Sequence, residues 1–156
     1  MKASKADPDQ NCRSHGNVSH HLQVSLSPVI NPQKFRVFSG FGQQLGPIVY
    51  FNAAGVIDGL AAIYPKTVVR LMRLSEQRPV SQEALDEARL LQYASSRASE
   101  IIGKWGILGI REGIYRVLGA GNLEGGRLPL KGALPEGEWE RLKGLYEPIA
   151  EIENRL

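Results

Sequence analysis

Phe35-Arg-Val-Phe-Ser-Gly40 and Gly55-Val-Ile-Asp-Gly-Leu60 set the expected architecture of this chain. Each is short, carries β-branched or aromatic residues, and is punctuated by glycine, which is strand composition. Between them, Gln43 to Ala53 reads as a short apolar helix with Leu45, Ile48, Val49 and Ala53 on one side. Pro47 is compatible with a first helical turn, where its missing N–H has no partner to lose. Upstream, Asn17 can cap a helix in which Val18, Leu22 and Leu26 recur at i, i+4 and i+8, and Pro28 and Pro32 stop it. Downstream, Tyr64-Pro65 opens a helix running through Leu74. Helix, strand, helix, strand, helix predicts parallel strands joined by crossovers, the α/β class.

Past residue 78 the pattern changes. Ser81 is a capping residue, and Glu83, Asp86 and Glu87 follow it at the positive end of a helix. Ala84, Ala88, Leu91, Ala94, Ala98, Ile101 and Trp105 form one apolar stripe. A glycine-interrupted helical segment runs from Gly106 to Leu118, a loop from Gly119 to Gly132, and a last helix opens at Pro135-Glu136, with Pro148 expected to kink it. The expected organisation is a disordered polar tail over 1–13, an α/β region over 14–78 and an all-helical extension over 79–156.

The chain has 156 residues, of which 42% are hydrophobic and 22% charged. At that size about 70% of the surface of the open chain can be buried, enough for one core. No apolar run reaches the ~18 residues of a membrane-spanning helix. The first residues, Met1 to Gln10, lack an apolar signal region and carry Asp7 and Asp9, so the expected location is cytoplasmic. The single cysteine, Cys12, cannot form an internal disulfide and suits a reducing compartment. A net charge of +3, from 19 basic and 16 acidic residues spread along the chain, gives no footprint for nucleic acid or for an anionic membrane.

Candidate chemistry is sparse. His15, His20 and His21 cluster, but no carboxylate or second cysteine stands at ligand spacing, and adjacent histidines on a helix diverge by ~100°. They read as surface or helix-start histidines, with no metal. Gly119-Ala-Gly121 to Gly125-Gly126-Arg127 follows a helix and lacks the Gly-Lys-Ser/Thr ending of a phosphate loop, so it reads as an interhelical turn. Ser39-Gly40 is not a nucleophile elbow, and no histidine follows His21. Asp86 and Glu87 read as solvated charge. What remains is positional. In parallel α/β folds the working residues lie at the C-terminal strand ends. Those ends are Ser39, Gly40 and Phe41 after the first strand and Ile57 to Gly59 after the second. The glycines there are either turn glycines or sites of close backbone approach to a ligand.

Ser14-His-Gly-Asn-Val-Ser-His-His21, Val37-Phe-Ser-Gly40, Ala54-Gly-Val-Ile-Asp-Gly-Leu-Ala61 with Pro65, Gly106-Ile-Leu-Gly-Ile-Arg111 and Arg127-Leu-Pro-Leu130 occur in this order. Together they resemble the C-terminal part of the dihydrodipicolinate synthase / N-acetylneuraminate lyase family, nearest the fungal and mitochondrial-type branch related to 4-hydroxy-2-oxoglutarate aldolase. The resemblance runs from about Ser14 to the C-terminus. It implies a (β/α)8 TIM barrel with a helical extension. At this length the chain would supply only a partial barrel, the last two or three β/α units over 14–78.

The family's chemistry is that of a class I aldolase. A neutral lysine amine attacks the ketone of pyruvate or another 2-oxo acid, and the Schiff base serves as the electron sink for lyase or condensation steps. No further cofactor is implied. That lysine lies four residues before the glycine matching Gly16, where this chain has Cys12, which cannot form an imine. Lys5 lies in a stretch without family pattern. The resemblance therefore assigns no catalytic residue here. It carries over two substrate-binding positions: Gly40, whose backbone would lie beside the substrate, and Ile57, which would line the pocket over the Schiff base. Phe41 departs from the acidic residue that often follows the glycine. The expectation is a C-terminal fragment of such a lyase, truncated and inactive alone, whose bare strand edge makes it a homo-oligomer or aggregation-prone. The alternative is a non-catalytic interaction or oligomerisation module derived from the same family.

Overall fold

The computed structural model describes residues 17–156. The polar tail, Cys12, His15 and the start of the Ser14–His21 motif lie outside the described residues. Asn17 caps α1 (Val18–Ser25), its side chain accepting from the Ser19 N–H at 2.9 Å. β1 is Phe38–Ser39. A 3₁₀ turn, Gly42–Gln44, leads into α2 (Leu45–Tyr50), and β2 is Gly55–Val56. α3 (Leu60–Ile63) and α4 (Pro65–Glu76) follow, then α5 (Gln82–Leu118), α6 (Glu138–Arg141) and α7 (Lys143–Arg155).

The two strands pair in parallel, Phe38 opposite Gly55 and Ser39 opposite Val56. The order of elements is the one expected, but the partial TIM barrel is not there. Helices hold 62% of the described residues, and the sheet consists of these two strands of two residues each. The reason is a want of neighbours on one strand and an early turn on the other. Phe35 and Arg36 are exposed and have no neighbouring strand to extend the ladder. On the other strand, Asp58 turns the chain into α3 by accepting from the Ala61 N–H at 3.2 Å. A barrel wall needs longer tilted strands paired on both sides; among the described residues this pair is open at both edges.

Helices supply the core instead. Leu45, Ile48 and Val49 of α2, Leu60 and Ile63 of α3, and Val68, Leu71 and Leu74 of α4 pack with Leu91, Ala94 and Ala98 of α5 and Ile149 and Ile152 of α7. One cluster thus draws on both halves of the chain. The α5 stripe is buried at Ala84, Leu91, Ala94, Ala98 and Ile101, as its spacing predicts. The α1 stripe is not: Leu26 is 54% exposed and no residue of that helix is fully buried.

α5 breaks at Gly106, where φ 54° and ψ −132° leave the helical region. On both sides of the break, Ile101, Leu134, Trp139 and Leu142 form a second, smaller cluster, with Trp105 and Tyr146 packed on it. The buried Glu112 ties α5 to the segment before α6, accepting from Arg116 Nε at 2.7 Å and from the Leu134 N–H at 3.3 Å. No helix among the described residues is long and apolar enough to cross a membrane.

Candidate functional site

Parallel pairing brings the two strand ends together. The Ile57 N–H donates to the Ser39 carbonyl at 2.8 Å, so Gly40 and Ile57 leave the sheet side by side. Ser39 is buried and fixes the turn after β1: its hydroxyl donates to Gln44 Oε1 at 2.6 Å and accepts from the Phe41 N–H at 3.1 Å. A small cavity of about 70 Å³ opens at this point, lined by Gly40, Gly42, Asp58, Gly59, Ser99 and Gly103 among others. Gly40 borders it. Ile57 does not; its side chain is 75% exposed.

α5 walls the cavity with Ser99, Ile102 and Gly103, and a run of small buried residues leads up to them. Ala94, Ser95, Ala98 and Ser99 present little bulk, so the helix comes close to both strand-end loops. Gln92 fastens it: its Oε1 accepts from the Gly46 N–H at 2.8 Å, while its Nε2 donates to the Gln43 carbonyl at 3.1 Å. Gly42 and Gly59 are needed at the contact. A methyl group at Gly42 would collide with the Asp58 carboxylate, and one at Gly59 with the side chain of Ile110.

Two polar side chains line this space. Burial raises the Asp58 pKa above the ordinary aspartate value, against the opposing pull of backbone amides from Ala61, Gly42 and Leu60. The Ser99 hydroxyl is buried and has no hydrogen-bond partner among the described residues. Asp58 falls within the strand-end stretch Ile57 to Gly59 that the sequence singles out by position, and it is also a capping side chain at the head of the apolar run Leu60-Ala-Ala-Ile63. Ser99 leaves no trace, since a serine in mid-helix is silent about what lies across from it.

This arrangement can hold a small polar group between a carboxyl and a hydroxyl. It has no amine nucleophile. No lysine lines the cavity, and Lys104, next to Gly103, is paired with Glu138 Oε1 at 2.6 Å. Lys104 and the Trp105 N–H, both on that carboxylate, hold the Glu138 pKa below the usual range.

The other sequence candidates lie elsewhere. His20 is exposed on α1, and burial together with the neighbouring His20 lowers the pKa of His21. No group of three or more histidine, cysteine or carboxylate side chains at metal-binding distance exists among the described residues. The 119–132 segment is organised by Arg111, which donates to the Gly125 carbonyl at 2.6 Å. Arg127 is exposed there.

No protein-family model matches this chain, and no solved structure matches it.

Proposed function

We propose that this chain is the C-terminal portion of a Schiff-base lyase of the dihydrodipicolinate synthase / N-acetylneuraminate lyase type, contributing substrate-side surface and performing no carbon–carbon chemistry by itself. The sequence support is the set of ordered motifs from Ser14 to Leu130. The structural observation that carries the proposal is the adjacency of Gly40 and Ile57 at parallel strand ends, locked by the Ile57 N–H to Ser39 carbonyl bond at 2.8 Å. These are the positions at which a 2-oxo acid would be met. The missing chemistry has an equally concrete basis: Cys12 occupies the position of the imine-forming lysine, and the strand-end cavity carries a carboxyl and a hydroxyl but no amine.

The test is borohydride trapping with pyruvate, read by intact mass. No adduct is expected on the purified chain. A stable adduct on any lysine overturns the non-catalytic assignment.

A second function, an interaction module, is favoured by one observation. Both edges of the sheet are unpaired among the described residues, and Phe35, Phe38 and Ile57 stand exposed around it. Light scattering after size exclusion separates the two. A defined oligomer that Ile57→Asp dissolves supports the module; a monomer at micromolar concentration removes it.

A further inference from the structure

A larger concavity lies away from the strand ends and shares no lining residue with the cavity there. It is a groove of about 640 Å³ between α2, the end of α4 and the first half of α5, within the ~300–1,000 Å³ of small-molecule sites. Its base is apolar: Leu71 and Leu74 belong to the core, and Leu85 forms a half-exposed wall. Its rim is cationic. Arg78 and Arg89 line it, Arg89 being paired with Asp86 at 3.0 Å, and no aspartate or glutamate lines the groove itself.

Arg78 is held in place rather than waving in solvent. It donates to the carbonyls of Ser75 at 3.0 Å, Gln77 at 2.5 Å and Tyr50 at 3.2 Å, and its guanidinium stacks 4.6 Å from the centre of the Tyr50 ring. None of these partners is charged, so its positive charge is not neutralised by an ion pair among the described residues. A guanidinium has five N–H donors and three bonds are made here, which leaves donors for a ligand. Tyr50 and Arg78 also form the wall of a neighbouring cleft of about 390 Å³, which holds Arg36 and Glu76. Arg78 therefore stands where an apolar trough gives way to a polar opening.

We propose that this groove binds a small amphipathic carboxylate, with its hydrocarbon tail along Leu71, Leu74 and Leu85 and its anionic head on Arg78. Charge complementarity selects this occupant: an apolar floor alone would take any hydrophobe, but a fixed, unneutralised arginine at one end rewards an acid over an alcohol or an amine.

The experiment is calorimetric titration of the full chain with decanoate below its micellar range, beside decanol and decyltrimethylammonium. Saturable 1:1 binding of decanoate is expected, about tenfold or more tighter than decanol. Arg78→Gln should bring decanoate down to the level of decanol, while Arg78→Lys should keep a preference for the acid. Leu85→Asp, on an exposed wall position, should weaken decanoate while leaving the circular dichroism spectrum unchanged. The proposal is overturned by equal affinity for acid and alcohol, by an unchanged preference in Arg78→Gln, or by the absence of saturable heat. It is also overturned if the groove is closed by a second copy, seen as a dimer mass that Leu85→Asp abolishes.

Discussion

Glu153, near the end of α7, caps α4 at Thr67. Its Oε2 accepts from the Thr67 N–H and from the Thr67 hydroxyl, each at 2.7 Å, and its Oε1 accepts from the Lys66 N–H at 2.9 Å. The first turn of a helix has N–H groups without intrahelical partners. The residue before α4 is Tyr64, whose side chain makes no capping bond. A carboxylate 86 positions away does that work, and it also complements the positive end of the helix.

Removing the cap should loosen both helices. Glu153→Ala is expected to cost about 1–2 kcal/mol, read as a lower urea midpoint. Glu153→Gln, which keeps an acceptor oxygen, should cost less. Equal stability of all three chains would mean that water replaces the carboxylate without loss.

The two glycines flanking Trp105 should respond in opposite senses. Gly103 is helical and a methyl group there meets open space, so Gly103→Ala should stabilise by about 0.5–1 kcal/mol. Gly106 also has open space around it, but its φ of 54° with ψ −132° is closed to side-chain-bearing residues. Gly106→Ala should cost about 1–3 kcal/mol. Thermal melts of the two variants side by side check the contrast.

Gly113 is limited by its neighbour. A Cβ added there would lie 2.5 Å from Cδ1 of Ile63, which is buried. Alanine gains about 1 kcal/mol of helix propensity, yet crowding in a packed core costs about 1–3 kcal/mol, so Gly113→Ala should be destabilising on balance. Ile63→Val deletes the obstructing methyl. The double variant should be more stable than the sum of the two single changes predicts, and a strictly additive cycle would show that Ile63 is not the obstacle.

Asp58 has a defined pH signature. Burial raises its pKa in the folded chain, so over the window between its ordinary and raised values the folded state holds more proton than the unfolded state. Its contribution to stability therefore improves as pH falls through that window and stays at its least favourable above it. Asn is also a capping residue and carries no charge. Asp58→Asn should be at least as stable as the parent at neutral pH, with its advantage shrinking as pH falls through the carboxylate range. Asp58→Ala, which loses the bond to the Ala61 N–H, should cost about 1 kcal/mol at neutral pH and more as pH falls through that window, because the parent alone gains there. Urea unfolding at several pH values measures both.

Local chemistry was what the sequence exposed best. Asn17 and Ser81 cap their helices with their own side chains, and Pro65 takes the first position of α4. Each of these depends on residues within a turn of one another. The α5 stripe was also visible, because burial follows the helical period. The sheet was misjudged for the opposite reason. Strand composition does not reveal whether a neighbouring strand exists, and Phe35 to Val37 stay outside the ladder for want of one. The break at Gly106 was hidden because a glycine inside a helical pattern looks the same whether or not its φ is positive. At the strand ends, Gly40 and Ile57 could be located from position alone. Asp58 and Ser99 come to line one cavity only through the approach of α5, which no local spacing encodes. Glu153 at Thr67 is the same kind of case over a greater separation.

Both tryptophans of the chain belong to the smaller cluster: Trp139 is buried in it, stacked on Tyr146 with ring centres 4.5 Å apart, and Trp105 packs against it. Indole emission is therefore a window chiefly on this smaller cluster, which spans the helix break and shares Tyr146 with the main core. Circular dichroism, dominated by helices of the larger cluster, looks the other way. Overlaid melting curves from the two signals give this molecule a built-in measure of whether its two clusters come apart together or in sequence.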